Sequence, residues 1–173
     1  MSELGVKNNG RWSLQQCRPV ELLVIQPTPF CNLNCTYCYL LDRSSKRRMT
    51  TATLEQIAKA VVAGGWAARD VTVVWHAGEP LVLPPSWYED AFALFESYRP
   101  AEVCMTHALQ TNGTLLNERW LPIVSRPDVR LGVSVDGPPA FITCAARREA
   151  AVVLSRLPSG ASDYSAPGAS RFT

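Results

Sequence analysis

"TPFCNLNCTYCYLLDR", residues 28–43, sets Cys31, Cys35 and Cys38 within eight positions, directly after an apolar run. That run, "VELLVIQPT" (20–28), is short, rich in β-branched residues and closed by prolines, and so reads as a strand buried on both faces. Half of the chain's six cysteines therefore fall in one loop at the carboxyl end of a strand. Working outward, the same rhythm recurs. "TTATLEQIAKAVVAG" (50–64) spaces Leu54, Ile57, Ala58, Val61 and Val62 as on one helix face, with Thr50 or Thr51 as a cap and Gly64 at the end. "VTVVW" (71–75) is a second apolar run, followed by the loop "HAGEPLVLPP" and a helix, "SWYEDAFALFESY", where Ser86 and Glu89 have capping-box spacing. "EVCMTHALQ" (102–110) is a third run, "TNGT" a turn, "NERWLPIVS" a short helix capped by Asn117, and "VRLGVSVDGPP" (129–139) a fourth run with its loop.

Strand, loop and helix in four successive units predict a parallel α/β sheet with right-handed crossovers. Val20 to Val129 spans three repeats of about 36 residues, near the roughly 31 per unit of a (β/α) barrel. The expected fold class is thus an incomplete, partial (β/α) barrel of about four parallel strands with helices outside. In such folds chemistry gathers at the carboxyl ends of strands. Here those ends hold Cys31, Cys35 and Cys38, then Gly78 and Glu79, then Gln110, Thr111 and Asn112, then Ser134 and Asp136. Residues 1–19 read as a polar extension and 20–138 as the barrel part. From 139 to 173 the rhythm is lost in a segment rich in Ala, Ser and Arg. That tail reads as disordered or replaced, and has the look of sequence read out of frame.

The chain has 173 residues, a formal net charge of +2 and 18% charged residues, the composition of an ordinary soluble domain. Nothing in it suggests a nucleic-acid footprint, and the basic run Arg43–Met49 reads as a solvated loop. No apolar run reaches the roughly 18 residues of a membrane helix, and residues 1–12 lack the apolar core of a signal peptide. A cytoplasmic protein is expected, one in which clustered thiols bind metal or do chemistry rather than pair. Structural zinc needs four ligands, and an ordinary [4Fe–4S] cluster takes four cysteines. Three thiolates on one loop would leave one iron open to a small molecule. Cys17, Cys104 and Cys144 stand apart; Cys104 reads as a small core residue. His107 reads as structural, and His76 as a packed strand-end histidine or a group near the substrate.

The spacing C-x3-C-x2-C with Tyr37 before its last cysteine resembles the signature of radical S-adenosylmethionine (SAM) enzymes. "HAGEP" looks like that family's Gly-Gly-Glu-Pro element, with Ala77 in place of the first glycine. "QTNGTLL" and "GVSVDGP" resemble elements of the SPASM-type peptide maturases, which include anaerobic sulfatase-maturating enzymes and the cyclophane-forming maturases of glycine-rich ribosomal peptides. The resemblance covers residues 20–138. It implies a [4Fe–4S] cluster held by Cys31, Cys35 and Cys38, and SAM bound at the fourth iron. It also implies a 5′-deoxyadenosyl radical that takes hydrogen from a ribosomal precursor peptide to form a side-chain crosslink or oxidation. A flavodoxin- or ferredoxin-type electron donor follows from the same likeness. Tyr37 would lie near the adenine, Gly78 and Glu79 at the methionine ammonium, Ser134 and Asp136 at the ribose or substrate, and Gln110 and Asn112 along the pocket. The family's six-unit barrel and its cysteine-rich auxiliary domain find no counterpart after residue 138. A second reading is therefore a cluster- and SAM-binding remnant without turnover.

Overall fold

The computed structural model describes residues 18–35 and 37–134. Four strands, β1 (Val20–Ile25), β2 (Ala67–Trp75), β3 (Cys104–Thr111) and β4 (Val129–Val133), form one sheet in the order β1-β2-β3-β4. Every neighbouring pair is parallel. Between them lie α1 (Thr51–Ile57), α2 (Pro85–Ser97) and α3 (Leu121–Val124), as the repeating apolar runs predict. The expected partial barrel is what the chain forms. Among the described residues no helix is long and apolar enough to cross a membrane.

The helix starts follow local chemistry. Thr50 caps α1, its hydroxyl accepting from the Thr53 N–H at 3.1 Å. The helix then widens into a π-helical stretch, Ala58–Ala63, before Gly64. The capping box expected of Ser86 and Glu89 does not form. Pro84 is the N-cap residue of α2 and Pro85 enters its first turn, where a fixed φ and a missing N–H cost nothing. Asn117 does cap, accepting from the Arg119 N–H at 3.0 Å to start the 3-10 turn Glu118–Trp120 that leads into α3.

The core lies on one face of the sheet. Register aligns Leu23, Val73, His107 and Val129 across the four strands, and Ile25, Trp75, Leu109 and Leu131 one step further on. Alternation points this set to one side, where it packs with Leu54, Val62, Phe92, Phe95, Ile123 and Val124. Trp75 is the hub, with the rings of Trp87, Tyr88, Phe92 and Phe95 at 5.6–6.0 Å. The opposite row includes Leu22 and Val24 of β1, which are 58% and 56% exposed. So β1 is not buried on both faces as its apolar run suggested; it is an edge strand with a helix layer on one side. Cys104 is also not in the core. It opens β3 beyond the helix layer and is exposed, while its neighbour Val103 is buried.

His107 is the polar member of the core and is structural, as read from its place within a strand. It is 3% exposed, stacked on Phe92 at 4.0 Å, and its Nδ1 accepts from Trp75 Nε1–H at 3.3 Å. Burial holds its imidazole down at a pKa of about 4.

Candidate functional site

The carboxyl ends of β1, β2 and β3 are joined by bonds between their loops. The β2 loop docks first. The Glu79 N–H donates to the Phe30 carbonyl at 2.7 Å, beside Cys31. Gly78 sits in the left-handed region at φ +67°, and a Cβ there would lie 2.3 Å from the Thr28 carbonyl oxygen and 2.8 Å from that of Phe30. Only glycine allows so close an approach. Ala77 is also left-handed, at φ 71°, the position where the family motif has glycine. Thr28 anchors the start of the cysteine loop, its hydroxyl donating to the Arg47 carbonyl at 2.6 Å and accepting from the Phe30 N–H.

Glu79 braces β2 to β3. It is 1% exposed. Its Oε1 accepts from the Leu81 N–H at 2.9 Å and the Thr111 hydroxyl at 2.6 Å, and its Oε2 from the Asn112 N–H at 2.8 Å. Burial pushes the carboxyl up, and these three donors pull it back. A carboxylate offers about four acceptor sites, so most of its capacity is used within the chain.

The β3 loop then reaches the cysteines. Asn112 Nδ2 donates to Asn32 Oδ1 at 3.0 Å and lies 3.8 Å from Cys31 Sγ as a donor. Thr114 closes the network, accepting from Asn32 Nδ2 at 2.7 Å and donating to Asn112 Oδ1 at 2.6 Å. Cys31 Sγ accepts also from the Leu33 N–H at 3.4 Å. Burial pushes the Cys31 thiol up, opposed by these donors. The Cys38 thiol is pulled down, first by the Leu40 N–H and then by the Arg43 guanidinium.

Of the residues singled out by sequence, Cys31, Gly78, Glu79 and Asn112 are joined across the strand ends, and Cys35 and Cys38 follow on the same loop as Cys31. Gln110 lies on the sheet row that the helices leave open, its amide across Gly132: a Cβ on Gly132 would meet it at 2.4 Å. Ser134 is exposed and extends the ladder past β4, its N–H donating to the Thr111 carbonyl at 2.8 Å. Tyr37 is 71% exposed on the cysteine loop, and His76 is exposed at the end of β2. Asp136, Cys17 and Cys144 lie outside the described residues. Sequence reasoning missed Asn32, Thr114 and Arg43, and placed Thr111 at the strand end without a role. The "TNGT" stretch holds Thr114 but reads as a turn, and Arg43 reads as part of a solvated basic run.

The donor set fits an iron–sulfur cluster. Cys31, Cys35 and Cys38 are free, half-buried thiols. Among the described residues, no three of His, Cys, Asp and Glu gather around a point that could hold one metal ion. A cubane asks for a different arrangement, one thiolate per iron, with donors to the sulfurs tuning it.

The chain belongs to the radical SAM superfamily, whose family model matches residues 25–151. That superfamily uses a [4Fe–4S] cluster and SAM. Within it the chain is homologous to anaerobic sulfatase-maturating enzymes. It is 38% identical over 121 residues to the serine-type enzyme of Klebsiella aerogenes, covering 69% of this chain and 30% of that protein. It is 30% identical over 126 residues to the cysteine-type enzyme of Clostridium perfringens, covering 69% and 34%. A Synechocystis protein described as uncharacterized, sll1766, is 39% identical over 128 residues, covering 72% and 32%. The solved structure of native anSMEcpe with bound AdoMet and Kp18Cys peptide superposes with a TM-score of 0.69 at 28% identity, over 79% of this chain and 41% of that one. The chain spans about a third of the length of the curated relatives it matches.

Proposed function

We propose that this chain carries the cluster- and SAM-binding part of a radical SAM enzyme that removes hydrogen from a peptide. One observation supports this most strongly: three free thiols at the carboxyl end of the first parallel strand, on a loop tied to the next two strand ends. Cys31, Cys35 and Cys38 would each hold one iron. The bound cluster and SAM supply the hydrogen-abstracting radical chemistry. The chain's own residues bind, orient and shield. Asn112 and the Leu33 N–H donate to Cys31 Sγ, and the Arg43 guanidinium holds the Cys35 carbonyl. Glu79 acts chiefly by position: its three bonds hold Gly78 and the Asn112 backbone against the cysteine loop. The Gly78 backbone and the remaining acceptor capacity of Glu79 suit the methionine ammonium. Tyr37 offers an exposed ring for the adenine, and Gln110 and Ser134 line the open row toward the substrate.

The peptide assignment draws on the sulfatase-maturating relatives and on the peptide in the anSMEcpe structure. The proposed product is a side-chain crosslink or oxidation, with reduction by a small flavodoxin- or ferredoxin-type carrier. The test is anaerobic reconstitution of the chain with iron and sulfide, then SAM and dithionite, with 5′-deoxyadenosine measured by chromatography. Brown protein that forms 5′-deoxyadenosine, against a colourless Cys31→Ala/Cys35→Ala/Cys38→Ala variant, is the expected result. Bound zinc without iron would overturn the reading, and cluster without product would leave a binding remnant in its place.

A further inference from the structure

We propose that Arg43 is the positioning residue of the cysteine loop, holding Cys31 through its backbone carbonyl and Cys35 through its guanidinium and so fixing the shape in which the three thiols are presented. This deepens the reading above and takes the identity of the metal group from it. The Arg43 carbonyl accepts from the Cys31 N–H at 3.0 Å and closes the loop at its base. Its Nη1 donates to the Cys35 carbonyl at 2.7 Å. The Cys38 N–H bonds back to the Cys35 carbonyl at 3.3 Å, so the turn gripped by the guanidinium carries the last two ligands.

The rest of the basic run behaves differently. Lys46, Arg47 and Arg48 are exposed, and Arg47 pairs with Asp42 at 3.0 Å in water. Arg43 alone of the four is half-buried and turned inward. A planar guanidinium presents its donors in a rigid fork that can grip the Cys35 carbonyl in a fixed direction; an ammonium on a flexible stem is a single point of charge. A cation and donors beside thiolate ligands also raise the reduction potential of an iron–sulfur centre. A lysine at residue 43 would keep the charge and lose the fork, while a glutamine would lose both.

The test uses the full 173-residue chain with Arg43→Gln, Arg43→Lys and, as a charge-matched control in the same loop, Arg47→Gln. In the metal-free protein, amide hydrogen exchange over residues 31–43 should quicken roughly tenfold in Arg43→Gln, the scale set by one lost charge-assisted bond. Arg43→Lys should fall between, Arg47→Gln should match wild type, and the amides of β2 and β3 should keep their protection in all three. In the reconstituted protein, Arg43→Gln should bind less iron and hold it at a lower midpoint potential, with iron content partly rescued in Arg43→Lys. Unchanged loop exchange in Arg43→Gln would overturn the proposal. So would loss of protection across the whole sheet in both Arg43 variants, or iron content and potential equal to wild type. If wild-type protein binds no iron, the cluster reading fails, while the exchange result still decides the role of Arg43.

Discussion

Acid should loosen this fold through one side chain, His107. In the folded chain its Nδ1 accepts from Trp75 Nε1–H, so the neutral ring carries its proton on Nε2. A second proton would place an N–H against an N–H, between Phe92 and Trp75 and away from water. Desolvation brings its pKa from the ordinary 6.5 to about 4; Asp128 and Glu96 oppose the shift and Arg126 adds to it. The unfolded chain takes up a proton near pH 6.5, and the folded one resists until about 4. Stability from this group is therefore complete above pH 6.5 and is lost as pH falls toward 4. Linkage puts the loss at about 2 kcal/mol between pH 7.5 and 5, and about 3 kcal/mol by pH 4. The upper window decides, because Glu55, Glu96 and Asp128 are held below their ordinary values and contribute only at lower pH. Urea melts of wild type and His107→Gln across pH 7.5 to 5 measure it. The glutamine carbonyl can still accept from Trp75, so the variant loses the titration but not the bond. Burial raises the Glu79 carboxyl in both proteins, so its effect cancels in the comparison. Parallel pH profiles for the two proteins would refute the reasoning.

Three further outcomes concern the β2 loop. Gly78→Ala should cost more than about 2 kcal/mol, because a left-handed alanine there also drives its methyl into the Thr28 carbonyl; the urea midpoint reads it. Ala77→Gly should stabilise by about 0.5–1 kcal/mol, since relief of a φ of 71° outweighs the added freedom of the unfolded chain; a calorimetric melt should move upward. Glu79→Gln should destabilise by about 1–3 kcal/mol, because its amide would turn a donor toward one of three donors; equilibrium unfolding at neutral pH checks it.

What sequence could reveal here tracks the range of the interactions. The strands and helices rest on apolar periodicity, and the caps at Thr50 and Asn117 on contacts two or three residues long, and these were legible. The capping box at Ser86 was readable too, but the preceding Pro84-Pro85 pair set the N-cap two residues earlier. The apolar residues of β1 gave no sign that one face lacks a helix layer, because hydrophobicity does not say what lies opposite. At the site, the cysteine spacing was plain because it is local. The braces were not. Thr111 meets Glu79 across 32 positions and Thr114 meets Asn32 across 82, and no short motif encodes such pairs. Arg43 was hidden by its company, since a run of cations looks uniformly solvated until one of them is seen turned inward.

The 81-position span between Asn112 and Cys31 imposes an order on biogenesis. A ribosome that has exposed only the first strand displays the cysteine loop without its braces to the second and third strands. The clasp of Asn32, Asn112 and Thr114 exists only after the third strand has emerged and docked. A nascent chain stalled before residue 114 therefore presents its thiols without that clasp, and the site is complete only in the assembled sheet.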